Sequence, residues 1–143
     1  MIASFDSNER ATILIVDDES CIVDTLSAVL SIRGFDVMEA SSAEKARKLI
    51  EENGPPHLAV LDVLLPGMNG LEMCKQLKQN PQTRNVPVIL ITVVTRGTDL
   101  ADGFWKLGTQ ADDFVTKPFD PFDLADRIEQ LLGRSQRQTS PAC

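Results

Sequence analysis

Four positions combine residue types that could perform chemistry together: Asp17-Asp18-Glu19, Asp62, Thr92 and Lys117. Carboxylates crowded into one place repel one another, and a hard divalent cation relieves that repulsion. Mg2+ takes oxygen ligands while keeping waters that a phosphate can replace. A threonine hydroxyl can donate to a phosphoryl oxygen, and a lysine ammonium can neutralise its charge. One carboxylate could then act as nucleophile toward phosphorus. The cation, hydroxyl and ammonium would stabilise charge on the equatorial oxygens in flight, and the product would be an aspartyl phosphate. A local reading competes with this one. Asp17 and Asp18 could be an acidic pair at a helix N-terminus, favoured by the macrodipole. Asp62 could be a turn residue before Pro66, Thr92 a plain strand-end threonine, and Lys117 surface decoration.

Each of these groups follows a short apolar run. Thr12-Ile-Leu-Ile-Val16 is nearly continuous and rich in β-branched residues, the pattern of a strand buried on both faces. Leu58 to Leu61 and Val88 to Thr92 resemble it, with Asp36 to Ala40 weaker and Asp113 to Thr116 short. Helical periodicity fills the gaps. Ile22, Leu26, Val29 and Leu30 form an apolar stripe, and Gly34 stands where a C-cap glycine belongs. Ser41 three before Glu44 has the spacing of a capping box. Ala43, Ala46, Leu49 and Ile50 follow it, and Asn53-Gly54-Pro55-Pro56 ends that helix. Leu71, Cys74 and Leu77 mark a third helix, Leu100, Phe104 and Leu107 a fourth. Asp120-Pro121, an N-cap with proline at the first helical position, opens a fifth that runs through Leu124, Ile128, Leu131 and Leu132 to Gly133.

Strand and helix thus alternate five times. Parallel strands need right-handed helical crossovers, so the expected fold is α/β, a doubly wound five-stranded parallel sheet. Sites in such sheets form at the carboxyl ends of the strands, where the acids, Thr92 and Lys117 fall. The expected organisation is a polar tail over 1–10, one domain over 11–133 and a second polar tail over 134–143.

Composition limits the alternatives. The chain has 143 residues with 43% hydrophobic and 24% charged, values of a globular domain that can bury its own core. Its net charge of -7 argues against direct nucleic-acid binding through phosphates. The same acidity suits divalent cations and basic partner surfaces. Cys21, Cys74 and Cys143 are odd in number and widely spaced, which fits a reduced compartment better than a disulfide framework. Cys21 and Cys74 read as small core residues on helices. The only histidine, His57, has no partners for a zinc site or a catalytic triad and reads as structural or solvated. No apolar run reaches membrane-spanning length, and Met1 to Ala11 lacks a signal-peptide core. A cytoplasmic location without membrane insertion is expected.

Asp17-Asp18-Glu19, Asp62 followed by Leu65-Pro66-Gly67-Met68-Asn69-Gly70, Thr92, and Lys117-Pro118-Phe119 resemble the motifs of a response-regulator receiver domain. The resemblance extends from about Ala11 to Leu132, and four motifs in order on the right strands are far more specific than any one. It implies a flavodoxin-like fold with strand order 2-1-3-4-5. It implies that Asp62 takes a phosphoryl group from a phosphohistidine on a sensor histidine kinase or phosphotransfer protein. Asp17, Asp18 and Asp62, with the Leu64 backbone carbonyl, would hold Mg2+ or Mn2+. Lys117 would contact the phosphoryl group, and its bond to Pro118 would be cis. Thr92 and Phe114 would be switch residues that alter the surface of the fourth helix, fifth strand and fifth helix. The resemblance further implies an unidentified downstream protein target and a regulatory domain rather than a stand-alone enzyme, and a phosphorylation-dependent homodimer is a separate expectation that the resemblance does not carry. The chain would have no room for an output domain, acting through another protein or as the receiver of a longer regulator.

The sequence also departs from the family pattern. Val93 stands where the family has a small residue, and a β-branched side chain there would restrict access to the phosphate. Leu64 and Val94 occupy positions that in the family influence dephosphorylation, and both are apolar, so slow autodephosphorylation is expected. The segment from Thr92 to Lys117 is longer than usual, with two residues inserted near Gly108-Thr109-Gln110 and Gly103 inside the fourth helix. Trp105 beside Phe104 reads as packing at the core edge. Two other functions compete: a receiver-like interaction module that is never phosphorylated, and an aspartyl-phosphate hydrolase. The hydrolase would want a second aspartate two residues after the nucleophile, where this chain has Leu64.

Overall fold

The computed structural model of the chain describes residues 10–65, 67–93 and 111–133. Five strands run β1 (Thr12–Val16), β2 (Asp36–Ala40), β3 (Leu58–Asp62), β4 (Val88–Val93) and β5 (Asp113–Lys117). They alternate with α1 (Ser20–Ile32), α2 (Ala43–Asn53) and α3 (Gly70–Gln79), and α4 (Pro121–Leu132) follows β5. The helix expected around Leu100, Phe104 and Leu107 lies outside the described residues. So do Val94, Gly103, Trp105, Cys143, the Gly108–Gln110 insertion and both tails, and the Val93 side chain is likewise not described.

The strands form one sheet in the order β2-β1-β3-β4-β5, and every neighbouring pair is parallel. The α/β fold and the 2-1-3-4-5 order are those expected from the sequence. The chain leaves β1 toward one edge and returns through β3 toward the other. The carboxyl ends of β1 and β3 therefore flank the point where strand order reverses, the crevice in which open α/β sheets bind ligands.

Both faces of the sheet are covered because strand residues alternate between two apolar clusters. Ile13, Ile15, Val60, Ile89 and Ile91 pack with Val23, Leu26 and Leu30 of α1 and Leu124 and Ile128 of α4. Leu14, Val16, Ala59, Leu61 and Leu90 pack with Ala43 and Ala46 of α2 and Met73, Cys74 and Leu77 of α3. Each fully buried Ile or Leu stabilises the fold by about 1.5–3 kcal/mol relative to exposure. Among the described residues, no helix is long and apolar enough to cross a membrane.

Several local expectations shift. The cap of α2 is Ser42, not Ser41: the Ser42 hydroxyl accepts from the Lys45 amide at 3.2 Å, while the Ser41 hydroxyl accepts from the Lys45 ammonium. A Ser-Ser pair satisfies the capping pattern in two registers, and the extended backbone of Ser42 selects the second. On α1 the buried stripe starts at Val23, and Ile22 turns toward Pro118 and Phe119. Met73 replaces Leu71 in the buried face of α3. Cys74 is buried as expected, but Cys21 is exposed, on the opposite side of the first turn of α1 from the buried Val23. Gly34 ends α1 with φ of 90°, donating to Ser31 O at 3.0 Å while Phe35 donates to Leu30 O, the paired bonds of a Schellman cap. Asp120 caps α4 through the Phe122 amide at 2.8 Å. His57 is structural, its Nδ1 accepting from the Thr12 amide at 2.9 Å.

Candidate functional site

Asp17 is the residue after β1, Asp62 ends β3 and Lys117 ends β5. The parallel sheet delivers all three to one edge. Asp17 is buried because its loop is tied back onto the sheet, its amide donating to Ala40 O at 3.1 Å and its Oδ1 accepting from the Glu19 amide at 2.9 Å. Asp62 is buried with both oxygens engaged: Oδ1 accepts from the Leu64 amide at 3.0 Å, and Oδ2 accepts from Lys117 Nζ at 3.0 Å. Lys117 Nζ also lies 3.2 Å from Asp17 Oδ2 and 2.5 Å from Glu19 Oε1. One ammonium thus gathers three carboxylates. The Lys117–Pro118 bond is cis.

The negative charge exceeds what Lys117 can balance. Burial is the main cause that raises the Asp17 carboxyl to about 6; the Glu19 amide pulls it down, the Asp62 charge pushes it up, and Lys117 lowers it. Burial works against the Lys117 ammonium, yet the hydrogen bonds it donates to Glu19 and Asp62 and the charges of Asp17 and Asp62 hold its pKa well above the ordinary lysine value. Asp17 Oδ2, although in ion-pair range of Lys117, has no hydrogen-bond partner among the described residues. A buried anionic oxygen in that condition costs free energy. One oxygen each from Asp17, Asp18 and Asp62 lies within 4.8 Å of the others. Three hard oxygen donors, one of them orphaned, with an exposed side from Asp18, fit a hydrated Mg2+ or Mn2+.

Two residues carry more of this geometry than the sequence revealed. Gly70, the first residue of α3, lies against the main chain of β3's end: a Cβ there would stand 2.2 Å from Asp62 O. Its amide donates to Val63 O at 2.9 Å, so the start of α3 is clamped directly beside the Asp62 loop. Only glycine allows that approach, and its place at the start of a helix after a turn was the available signal. Glu19 is the other. Its carboxylate makes no cap bond for α1 and goes to Lys117 instead. A glutamate at a position where Ser, Thr, Asp or Asn caps best was the sign of another task.

Thr92 and Phe114 are not drawn into this cluster. Thr92 sits on β4 one residue beyond Ile91, the register partner of Asp62. Its hydroxyl is buried and has no hydrogen-bond partner among the described residues. Phe114 is half-buried, beside Leu90 in the sheet register, and packs against the α2–α3 side of the core. Leu64 is 62% exposed beside the Asp62 carboxylate, so apolar surface faces the solvent next to those oxygens. A cavity of about 720 Å³ between α2 and α3 includes none of these groups. A second, of about 540 Å³, is lined by Glu19, Ile22, Lys117, Pro118 and Phe119.

The response regulator receiver domain family matches residues 13–129. The alkaline phosphatase synthesis transcriptional regulatory protein PhoP of Bacillus subtilis (strain 168) is 43% identical over 124 residues, covering 87% of this chain and 49% of that protein. The phosphate regulon transcriptional regulatory protein PhoB of Pseudomonas aeruginosa is 36% identical over 124 residues, covering 87% of this chain and 52% of that protein. The chain therefore spans about half the length of the curated relatives it matches. The crystal structure of a CheY-like response regulator receiver domain protein from Methanospirillum hungatei JF-1 superposes with a TM-score of 0.76 at 28% identity, covering 91% of this chain and 99% of that one.

Proposed function

The chain belongs to the response-regulator receiver domain family of two-component signalling, and on that premise we propose that Asp62 is its phosphoacceptor. The observation that supports this most is the convergence of Asp62, Lys117 and the orphaned Asp17 oxygen at the strand-order reversal. Asp17, Asp18 and Asp62, with the Leu64 backbone carbonyl, would hold Mg2+ or Mn2+. When bound, the cation supplies charge neutralisation for the carboxylates and the phosphoryl oxygens.

The rest is the work of this chain's own side chains. The Leu64 amide fixes the rotation of the Asp62 carboxylate, which attacks phosphorus as the bond from phosphorus to the donor's imidazole nitrogen breaks. Lys117, already 3.0 Å from Asp62 Oδ2, follows the charge onto the phosphoryl oxygens. Thr92 brings a hydroxyl that has no partner among the described residues, and a bond from it to a phosphoryl oxygen would favour the phosphorylated form. Phe114, packed between the sheet edge and the α2–α3 side of the core, would report the movement of Thr92 to the surface around β5 and α4.

The donor is a phosphohistidine of a sensor histidine kinase or phosphotransfer protein, and the modified surface regulates a partner, with homodimerisation as one mode. Whether that partner is a separate protein or an output domain of a longer chain is open to experiment. The relatives' own names make them transcriptional regulators. The domain would comprise 11–133 and act as a regulatory switch in the cytoplasm. The test is incubation with Mg2+ and acetyl phosphate, read by intact mass. A single phosphoryl adduct on wild type that chelator and Asp62→Asn both abolish supports the assignment. No adduct, under conditions that label a control receiver, would instead favour an interaction module that is never phosphorylated.

A further inference from the structure

Glu19 touches both ends of the resting site. Its backbone amide donates to Asp17 Oδ1 at 2.9 Å, and its side chain accepts from Lys117 Nζ. It occupies the N-cap of α1 without using its carboxylate as a cap, so that side chain is committed to Lys117. The cluster of carboxylates able to share a cation comprises Asp17, Asp18 and Asp62, and Glu19 is outside it. A cation entering there would therefore draw Asp17 and Asp62 away from Lys117 and leave Glu19 as the ammonium's remaining anionic partner. The Glu19 side chain is 59% exposed, against 1% for Asp17 and 5% for Asp62, so it alone of the three can exchange Lys117 for water at little cost.

We propose, resting on the assignment of Asp62 as phosphoacceptor, that Glu19 is a positioning residue that tethers Lys117 in the resting site and competes with the incoming phosphoryl group for its ammonium. Glu19 holds Lys117 poised beside Asp62 and has to release it before the lysine can bind the phosphoryl oxygens. Its charge also opposes an anionic donor, because Glu19 and Lys117 together line the cavity of about 540 Å³ that opens beside the site. Glu19 is thereby a brake on phosphorylation, and the release of Lys117 is part of the activation step.

The experiment compares the full chain with Glu19→Gln at saturating Mg2+. Phosphorylation by acetyl phosphate is expected to be roughly three- to tenfold faster in the variant. The gain should shrink as salt screens the exposed charge, and it should be smaller with phosphoramidate, which carries less negative charge than acetyl phosphate. Mg2+ affinity by calorimetry should stay at the wild-type value, since Glu19 is not among the cation's oxygens. An unchanged or slower rate in Glu19→Gln overturns the proposal. The tether itself is read without any phosphoryl donor, by NMR of the Lys117 ammonium: faster hydrogen exchange in Glu19→Gln supports it, and unchanged exchange overturns it. A wild-type chain that takes no phosphoryl group would sink the phosphoacceptor assignment and the brake, while the NMR measurement still decides the tether.

Discussion

At the start of α1, Lys117 faces Asp17, Glu19 and Asp62, with Asp18 alongside. At its end, Arg33 pairs with Asp126 at 2.8 Å and Glu129 at 3.1 Å on α4, and its guanidinium lies 5.8 Å from the centre of the Phe122 ring. Among the described residues, each cluster has a single cation. The Arg33 cluster places its carboxylates where hydrogen bonds satisfy them, and Asp126 is open to water. The guanidinium's pKa is held above its ordinary value, chiefly by the hydrogen bonds it donates to Asp126 and Glu129, against the opposing effect of burial. The Lys117 cluster packs more negative charge into a more buried place and leaves Asp17 Oδ2 orphaned. The cluster that fastens two helices leaves no buried carboxylate oxygen without a partner among the described residues. The cluster proposed to take a cation and a phosphoryl group leaves one buried oxygen orphaned, and the fold bears that cost.

Four changes would break or sharpen the contrast. The largest effect is expected from Asp17→Asn, which should weaken Mg2+ binding by about 100-fold, measured by calorimetry. The second is a pH effect. Asp17 has a folded-state value of about 6 against an ordinary 3.8, so the folded chain holds its proton more tightly than the unfolded chain does. Its contribution to stability is therefore full below about pH 4 and is lost as pH rises through about 6, a decline of roughly 2–3 kcal/mol. Urea unfolding of wild type against Asp17→Asn without Mg2+ should show the decline in wild type alone, and saturating Mg2+ should abolish it. Third, Arg33→Ala should destabilise by about 1–2 kcal/mol while leaving the phosphorylation rate unchanged, since it strips the cation from Glu129, only 9% exposed. The smallest effect concerns Leu64. Replacing its exposed apolar side chain with Asn should speed hydrolysis of the phosphorylated form about fivefold, by letting water order beside Asp62. A wild-type phosphoryl lifetime at the fast end of the family would remove the basis for that expectation.

The strands were legible because buried parallel strands read as apolar runs, and Asp17, Asp62 and Lys117 stand at the ends of three of them; their order came only from the resemblance to receiver domains. Spacing in sequence could place them at one sheet edge. It could not say which oxygen would be left without a partner, since that depends on a 3.2 Å approach between β1 and β5, strands not adjacent in the sheet. Glu19 looked like the third letter of an acidic motif, and only the side-chain direction at the helix cap revealed its hold on Lys117. Ser41 and Ile22 were misplaced by one position each for the same reason: periodicity and capping patterns tolerate a one-residue slip that three-dimensional packing does not. Cys21 was taken for core because it sits on an amphipathic helix, whose periodicity near its first turn does not settle which residues face the sheet.

The central claim is that the unbalanced cluster exists to carry a phosphoryl group on one particular carboxylate. Phosphorylating the chain with acetyl phosphate and Mg2+, trapping with borohydride and mapping peptides by mass spectrometry reads that carboxylate directly, because reduction of an aspartyl phosphate leaves homoserine. The account predicts homoserine at position 62 alone. Homoserine at 17 or 18, or an unreduced Asp62 in a chain that carries the phosphoryl group elsewhere, would contradict it.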